Sequence, residues 1–434
     1  MTRHSDPTVI VGAGIAGLLC ARTLTRAGHR VVVYEREPEV GGRVRTTVQD
    51  GFRIDHGFQV LFSAYPTLTA ALDIAALELR EFRPAARIAT AGSATALIGD
   101  ALADASLLWP TLRASSLSLL DKIRMLQLRY FATGLSFDDC FAARFDRLST
   151  REFLVARGFS AKAITRFFAP FYGGILLDRS LESSASVLLY TFKMLAQGRT
   201  TVPAAGMGAI PAQLAAALPE GCIRTGTAVT RVTQAADGQV DGVILADDRH
   251  IPARRVVLAC DPPAIAVLAL TAGVHVDVPP VSLGCTTVYL RSSAPLLDGD
   301  ALWLNASSDA TVSHAITISN VAPTYAPTGS SLTAATVLGA SAVLSETELI
   351  PRVRKDLLAM GNQRAAESAE LLAVWRVPYS QYAQPPGALL RRMPAETSSG
   401  GLFLASELLH TSSLEGAARG GIACAEAVVR SLAS

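Results

Sequence analysis

Apolar and polar positions along the chain fall into two alternating regimes. An unbroken apolar run, Thr8-Val-Ile-Val11, leads through glycines into a segment of helical spacing from Ile15 to Ala27, stopped by Gly28. A second apolar run, Arg30-Val-Val-Val-Tyr34, follows. Such continuous runs suit parallel strands covered on both faces. From about residue 76 to 200 the pattern reads as helices. Ser115 to Phe131 is one and Asp146 to Gly158 another, the latter opened by capping-box spacing at Ser149 and Glu152. Beyond Pro203 the pattern predicts a helix from Ala212 to Leu218 and a strand from Thr227 to Val232. A hairpin at Asp237-Gly238, a strand from Val240 to Ala246 and an apolar run from Arg255 to Cys260 come next. Further strands are expected at Leu283 to Leu290, Ala301 to Leu304, His314 to Ser319 and Leu332 to Leu338. A helix from Glu346 to Met360 and a strand from Leu371 to Val377 complete that set. A buried strand, Gly401 to Glu407, precedes a closing helix that starts near Ser413, where Ser412 and Glu415 have capping-box spacing. The sum is an α/β chain of two interleaved units. Residues 1–75, 201–275 and 385–434 form one. Residues 76–200 and 276–384 form the other, a mixed or antiparallel sheet with a helical lid.

The opening strand–helix–strand carries the first chemistry. Its turn, Gly12-Ala-Gly14-Ile15-Ala16-Gly17, is a Gly-x-Gly-x-x-Gly sequence between strand and helix. Gly12 permits the tight turn, Gly14 lets backbone approach a pyrophosphate, and Gly17 lets helix and strand pack closely. The helix N-terminus offers N–H groups to the phosphates. Glu35 ends the second strand about twenty residues on, where a carboxylate accepts both hydroxyls of an adenosine ribose. A Rossmann-like nucleotide site follows from this order of elements.

Arg36-Glu-Pro-Glu-Val-Gly41-Gly42-Arg43 and Asp55-His56-Gly57-Phe58 then follow. These stretches resemble the Gly-Gly-Arg and Asp-x-Gly segments of the FAD family of amine oxidases, protoporphyrinogen oxidases, phytoene desaturases and squalene-processing flavoenzymes. The resemblance implies a discontinuous Rossmann-like FAD-binding domain with a separate substrate domain, as in the amine-oxidase and glutathione-reductase-like fold. It also implies that Gly41 and Gly42 pass close to FAD, that Arg43 contacts its phosphates, and that Gly57 and Phe58 approach the flavin ring. Val229 matches the residue whose backbone touches adenine, and Cys260 ends the strand beside it. Ala405-Ser406-Glu407 and Glu415-Gly416-Ala417 resemble the family's closing motif. By that likeness Glu407 binds the ribityl or pyrophosphate part of FAD, and backbone at Leu414 and Ala417 faces the isoalloxazine. Ser406 stands where the family usually has glycine. A helix N-terminus aimed at the flavin pyrimidine stabilises the negative charge of reduced flavin.

Composition narrows the class further. Half of the 434 residues are hydrophobic and only 18% charged, with net charge +2. Mean hydropathy is +0.33. Such a chain buries a large core or meets greasy partners, and it makes no case for nucleic acid. The six cysteines, Cys20, Cys140, Cys222, Cys260, Cys285 and Cys424, have no metal-ligand spacing, so no metal is expected. A short polar arm runs straight into the first strand, which leaves no room for a signal peptide. No apolar window is long enough to span a bilayer. A cytoplasmic protein is expected, with peripheral membrane contact open.

The reaction is read from what is absent. Amine oxidases of the family use a lysine near flavin N5, and the matching stretch, Cys285-Thr-Thr-Val-Tyr289-Leu290, has none. Trp375-Arg-Val-Pro378-Tyr379-Ser-Gln-Tyr382 and Phe168-Ala-Pro170-Phe-Tyr172-Gly173-Gly174 are more similar to the desaturase and hydroxysqualene-enzyme branch. The expectation is desaturation of a hydrophobic, isoprenoid-like substrate by hydride transfer to FAD. Oxygen or a quinone is the expected electron acceptor, since no NAD site is visible. A flavin amine oxidase is the alternative, and a non-redox flavin-dependent isomerase or lipid carrier a third reading. His56 and His410 are candidate proton carriers, His56 also a candidate flavin attachment point. Tyr172 is a further candidate catalytic residue that, with Tyr379 and Tyr382, is expected to line the cavity, while His314 reads as packed at the start of a strand.

Overall fold

Thr8–Val11 is buried along its whole length because it is the middle strand of a five-stranded parallel sheet. The computed structural model that shows this describes residues 6–90 and 95–433. From edge to edge the strands are Ile223–Arg224, Val31–Tyr34, Thr8–Val11, Val256–Leu258 and Leu402–Leu404. Val9 faces Val32 on one side and Val256 on the other, and Val256 in turn faces Leu402. Segments more than two hundred residues apart thus share one sheet.

The helix Ile15–Arg26 covers this sheet together with the closing helix Leu414–Ala433. The helices meet without side chains between them at one point. A Cβ on Gly421 would stand 2.3 Å from the Ala16 carbonyl oxygen, and one on Gly420 would stand 2.0 Å from that of Ser406. Only glycine permits so close an approach.

Seven strands form the second, mixed sheet, in the order Glu370–Tyr382, Ser282–Ser292, Ser331–Leu338, Val312–Thr317, Leu302–Asn305, Ala85–Ala89 and Ala96–Gly99. The last two correct the helical reading of residues 76–200. Ala85-Ala-Arg-Ile-Ala89 is rich in alanine, a helix former, yet it pairs with Leu302–Asn305 and its residues 86 and 88 are buried. Tertiary pairing overrides local propensity there. The edge strand runs past Val377 through Pro378 to Tyr382, which a register shift opposite Leu283 to Cys285 accommodates. His314 lies inside its strand rather than at its start.

The helices follow their caps. The one expected from Ser115 begins at Leu119, because Ser118 and Asp121 form a reciprocal capping box. Ser149 and Glu152 form the expected box ahead of Thr150–Ala156, and Glu346–Met360 has the expected bounds. This is the two-sheet α/β architecture anticipated above.

Candidate active site

The glycine turn is built as a cradle. Gly12 sits at φ +108°, and a Cβ on it would stand 2.8 Å from the Ala259 carbonyl oxygen. Above Gly14 no heavy atom lies within 4 Å of an added Cβ. Gly14 is also the N-cap of the helix, which no side chain caps, so the first-turn N–H groups at Ile15, Ala16 and Gly17 have no side-chain acceptor. Gly42, at φ +59°, passes beside this turn, with its Cβ position 3.6 Å from the Gly14 Cα. At the rim, Glu35 accepts the N–H of Ala13 at 2.7 Å and that of Glu37 at 3.0 Å. Each carboxylate oxygen keeps a lone pair for a further donor. The N–H groups of Gly226 and Thr227 bind the Glu37 and Glu35 carbonyls, which brings Val229 to the same rim. Val229, Cys260 and Tyr34 pack against one apolar cluster there. Burial pushes the Cys260 thiol up to about 12, so it is neutral. Arg36, also a candidate cofactor contact, is exposed and paired with Glu37.

A second group of residues converges from the far ends of the chain. Arg43 donates to Glu407 at 2.8 Å and to the Ser380 carbonyl at 2.6 Å, and lies over the Tyr379 ring. Ser412 donates to the other Glu407 oxygen at 3.1 Å, and Tyr382 donates to the Glu407 carbonyl. The Tyr379 hydroxyl is buried with no hydrogen-bond partner. An orphaned hydroxyl beside an arginine and a carboxylate marks a place where a further polar group belongs.

The Ser412–Glu415 capping box does not form. Ser413 caps the closing helix instead, accepting the Gly416 N–H at 2.9 Å. Glu415, fully buried, accepts the N–H groups of Thr67 and Leu68 at 2.9–3.1 Å and the Arg419 Nε–H at 2.9 Å. It caps another helix, Pro66–Ala70, whose own N-cap, Tyr65, offers no side-chain acceptor. Leu414 and Ala417, half-buried at the first turn, pack against the main core.

Three same-face residues of Ser282–Ser292 hold the Asp55–Phe58 segment in register. Tyr289 donates to the Asp55 carbonyl at 2.8 Å, and Thr287 accepts the Phe58 N–H at 3.2 Å. Cys285 Sγ lies 4.0 Å from the Cβ position of Gly57, which has φ +93°. His56 stacks on Trp375 with ring centroids 3.6 Å apart and bonds Thr47 at 2.8 Å. Burial, with Arg45 nearby, lowers its pKa to about 4, so the ring is neutral near pH 7. Phe58 leans on Phe82 and His314. His314 is buried, its Nδ1 lacks a partner, and its pKa is lowered to about 4 by burial and by Arg179.

Two candidates lie elsewhere. Tyr172 is 1% exposed and packs between Phe168 and Phe171, a core residue rather than part of a cavity wall. His410 faces a cavity of about 40 Å³ with Tyr382, Arg392 and Asp277, room for water and not for a substrate. Burial and the nearby Arg392 and Arg419 lower its pKa to about 4.

Asp55 was read only as a neighbour of Gly57, and its structural part is larger. Its carboxyl accepts from Thr46, from the Met207 N–H and from Tyr325, and burial raises its pKa to about 6. A raised folded-state pKa adds stability that is full below the ordinary carboxylate value near 4 and is lost as pH rises through about 6. His314 has the opposite sign: its lowered value costs stability as pH falls from 6.5 through about 4. Comparing Asp55→Asn with the parent cancels the histidine. The variant is expected to gain, relative to the parent, about 2 kcal/mol between pH 4 and 7. Urea titrations at both pH values check this, and an unchanged difference contradicts it.

The comparisons with known proteins agree with this geometry. The model of the "flavin containing amine oxidoreductase" family matches residues 15–429. The chain belongs to that family. It is accordingly a flavin-dependent oxidoreductase whose cofactor is FAD. Among curated relatives, phytoene dehydrogenase of Streptomyces griseus is 31% identical over 293 residues, 59% of this chain and 55% of its own length. The match thus spans about half of that relative. The 15-cis-phytoene desaturase of Synechococcus elongatus is 45% identical over 60 residues, 14% of this chain and 13% of its own. An oxidoreductase of Methanosarcina mazei superposes with TM-score 0.73 at 21% identity, covering 98% of this chain and all of its own. Cyclohexylamine oxidase of Brevibacterium oxydans gives 0.71 at 17%, covering 99% and 100%. At such identities these structures establish a shared fold. The cradle fits FAD: an uncapped helix N-terminus and open Gly14 for a pyrophosphate, Glu35 for a ribose, and an orphaned Tyr379 hydroxyl beside Arg43.

Proposed function

We propose that this oxidoreductase dehydrogenates a hydrophobic, isoprenoid-like substrate, with oxygen or a quinone as the final electron acceptor. When bound, FAD accepts the hydride. The observation that carries the reading is the strand Ser282–Ser292. Its residues facing the Gly57–Phe58 loop are Cys285, Thr287 and Tyr289, each in contact with that loop or with Asp55, and none is a lysine or a carboxylate. An ammonium substrate calls for an unspent carboxylate. Asp55, the acid beside this loop, already accepts three hydrogen bonds. Phe58, Phe82, Trp375 and the neutral rings of His56 and His314 offer apolar and aromatic surface instead. The desaturase names among the relatives support the same class.

In this reading the chain's residues bind and orient. Ile15, Ala16 and Gly17 N–H groups and Arg43 hold phosphate, and Glu35 holds the adenosine ribose. Val229 and Cys260 flank the adenine, and Gly41 and Gly42 admit the cofactor backbone. Glu407 holds the ribityl or pyrophosphate part, and Gly57, Phe58, Leu414 and Ala417 bracket the ring. The division into two units is supported by the sheets: all five parallel strands fall in residues 1–75, 201–275 and 385–434, and all seven mixed strands in the rest.

The test is product analysis. The purified holoenzyme is incubated with detergent-dispersed polyenes and a quinone, and with amines in parallel. The expected product has lost pairs of hydrogens and absorbs at longer wavelength; imine or aldehyde formation from amines, with no polyene turnover, overturns the reading.

A further inference from the structure

Large apolar side chains left in solvent gather on one part of the surface. Among the described residues, nine of the eighteen lie between Leu102 and Tyr130. The helix Leu119–Gly134 buries Leu128 and Ala132 on one side. On its other side Leu119, Ile123, Leu126 and Tyr130 recur at spacings of four, three and four residues, a single helical stripe, with Leu120 beside it. Leu119 is 68% exposed and Tyr130 72%. The short helix Leu108–Arg113 adds Leu108, Leu112 and Trp109, which is 65% exposed.

The two helices are fixed as one surface. Lys122 donates to the Leu112 carbonyl at 2.8 Å and to that of Ala114 at 3.1 Å, so the second helix caps the carbonyl end of the first. The charge around the stripe is one-sided. Residues 108–134 hold Arg113, Lys122, Arg124 and Arg129; Arg129 is paired with Asp100 at 2.9 Å and Arg124 lies 3.9 Å from the fully buried Asp121, which leaves Arg113 and Lys122 without an acidic partner among the described residues. Asp121 also accepts the Ser160 N–H and hydroxyl, which brings the exposed Lys162 and Arg166 to the same end. Asp138 and Asp139 lie past the opposite end.

We propose that this two-helix face is the surface by which the protein docks on an anionic lipid bilayer. An aliphatic stripe flanked by Trp109 and Tyr130 and edged with cations matches the interface of acyl chains and anionic headgroups. The chain lies on the bilayer and does not cross it: among the described residues no helix is long and apolar enough to span a membrane. The stripe occupies about 17 Å of helix, so it rests in the plane of the interface. The proposal is independent of the substrate named above, because it concerns a face formed by other residues.

The test uses the FAD-loaded chain with vesicles of pure phosphatidylcholine or of an equimolar mixture with phosphatidylglycerol. Co-sedimentation with the mixed vesicles is expected to exceed that with pure phosphatidylcholine by at least about tenfold, and to fall with salt. Of three tryptophans, Trp303 is buried and Trp375 is stacked on His56, so Trp109 is the reporter. Its emission should shift to the blue on binding, and Trp109→Phe should remove the shift. Combining Leu119→Gln, Ile123→Gln and Leu126→Gln should weaken vesicle binding by at least about tenfold while melting temperature and flavin content stay unchanged. Undiminished binding by that variant overturns the proposal. So does a parent dimer in gel filtration that the variant turns into a monomer, since the face would then belong to a second copy.

Discussion

Replacing Gly17 with alanine is expected to strip the protein of flavin. The added Cβ would stand 2.0 Å from the Gly12 carbonyl oxygen and 3.1 Å from the Ala259 side chain. Helix and turn must therefore separate, and the atoms that move are those that hold a pyrophosphate. The overpacking itself costs about 1–3 kcal/mol, but a displacement of about 1 Å at a preorganised site costs orders of magnitude in function. Gly14→Ala separates the two effects. Its methyl meets no protein atom within 4 Å, so it should fold as the parent does. It should still lose flavin, because the methyl stands where the pyrophosphate passes. Melting temperature and flavin-to-protein ratio, measured side by side, check both. A Gly14→Ala protein with full flavin content would move the cofactor away from this turn. Glu35→Ala at the rim should weaken flavin retention without unfolding the chain.

Glu415→Ala is expected to cost about 3–5 kcal/mol, the largest single loss of stability among these variants. The carboxylate is fully buried, and its removal leaves the Thr67 and Leu68 N–H groups and the Arg419 guanidinium without their acceptor. Unpaired buried donors account for the loss more than the ion pair does. Arg419 also stacks on Phe137 at 3.4 Å, so the same carboxylate steadies the helical region through its partner. Glu415→Gln keeps one acceptor and should recover about half of the loss. Urea midpoints at constant m-value give the comparison; a Glu415→Ala loss below about 1 kcal/mol would contradict this role.

Glu415 also shows where sequence reading stops. Local signals were sufficient at several places where the partner is near in the chain. The Gly12-to-Gly17 turn, the Ser149–Glu152 box and the bounds of Glu346–Met360 all depend on neighbours a few residues away. Ser412 and Glu415 have the spacing of a box, yet Ser412 turns to Glu407 and Glu415 turns to a helix about 350 residues earlier. Nothing in the spacing reports that competition. The alanine-rich strand Ala85–Ala89 was missed for the same reason, since its partner on one side is Leu302–Asn305; Ala96–Gly99 then pairs with Ala85–Ala89. Adjacent glycines inside the closing helix, Gly420 and Gly421, were an available signal of close approach. The Arg43–Glu407 pair joins two motifs that had each been assigned to the cofactor, and the fold brings them within 2.8 Å. Tyr172 went the other way, because aromatic sequence alone does not separate a cavity wall from a core.

Flavin reduction under anaerobic conditions tests the central claim most directly. The purified yellow protein is mixed with a panel of apolar isoprenoids and, separately, with primary and secondary amines. The expected result is loss of the oxidised-flavin absorption with an isoprenoid and none with any amine, since the strand facing the Gly57–Phe58 loop has no lysine to serve flavin N5 and no carboxylate to hold an ammonium group. Bleaching by an amine, with the isoprenoids inert, would contradict the proposed substrate class and make the protein an amine oxidase that works without the usual lysine.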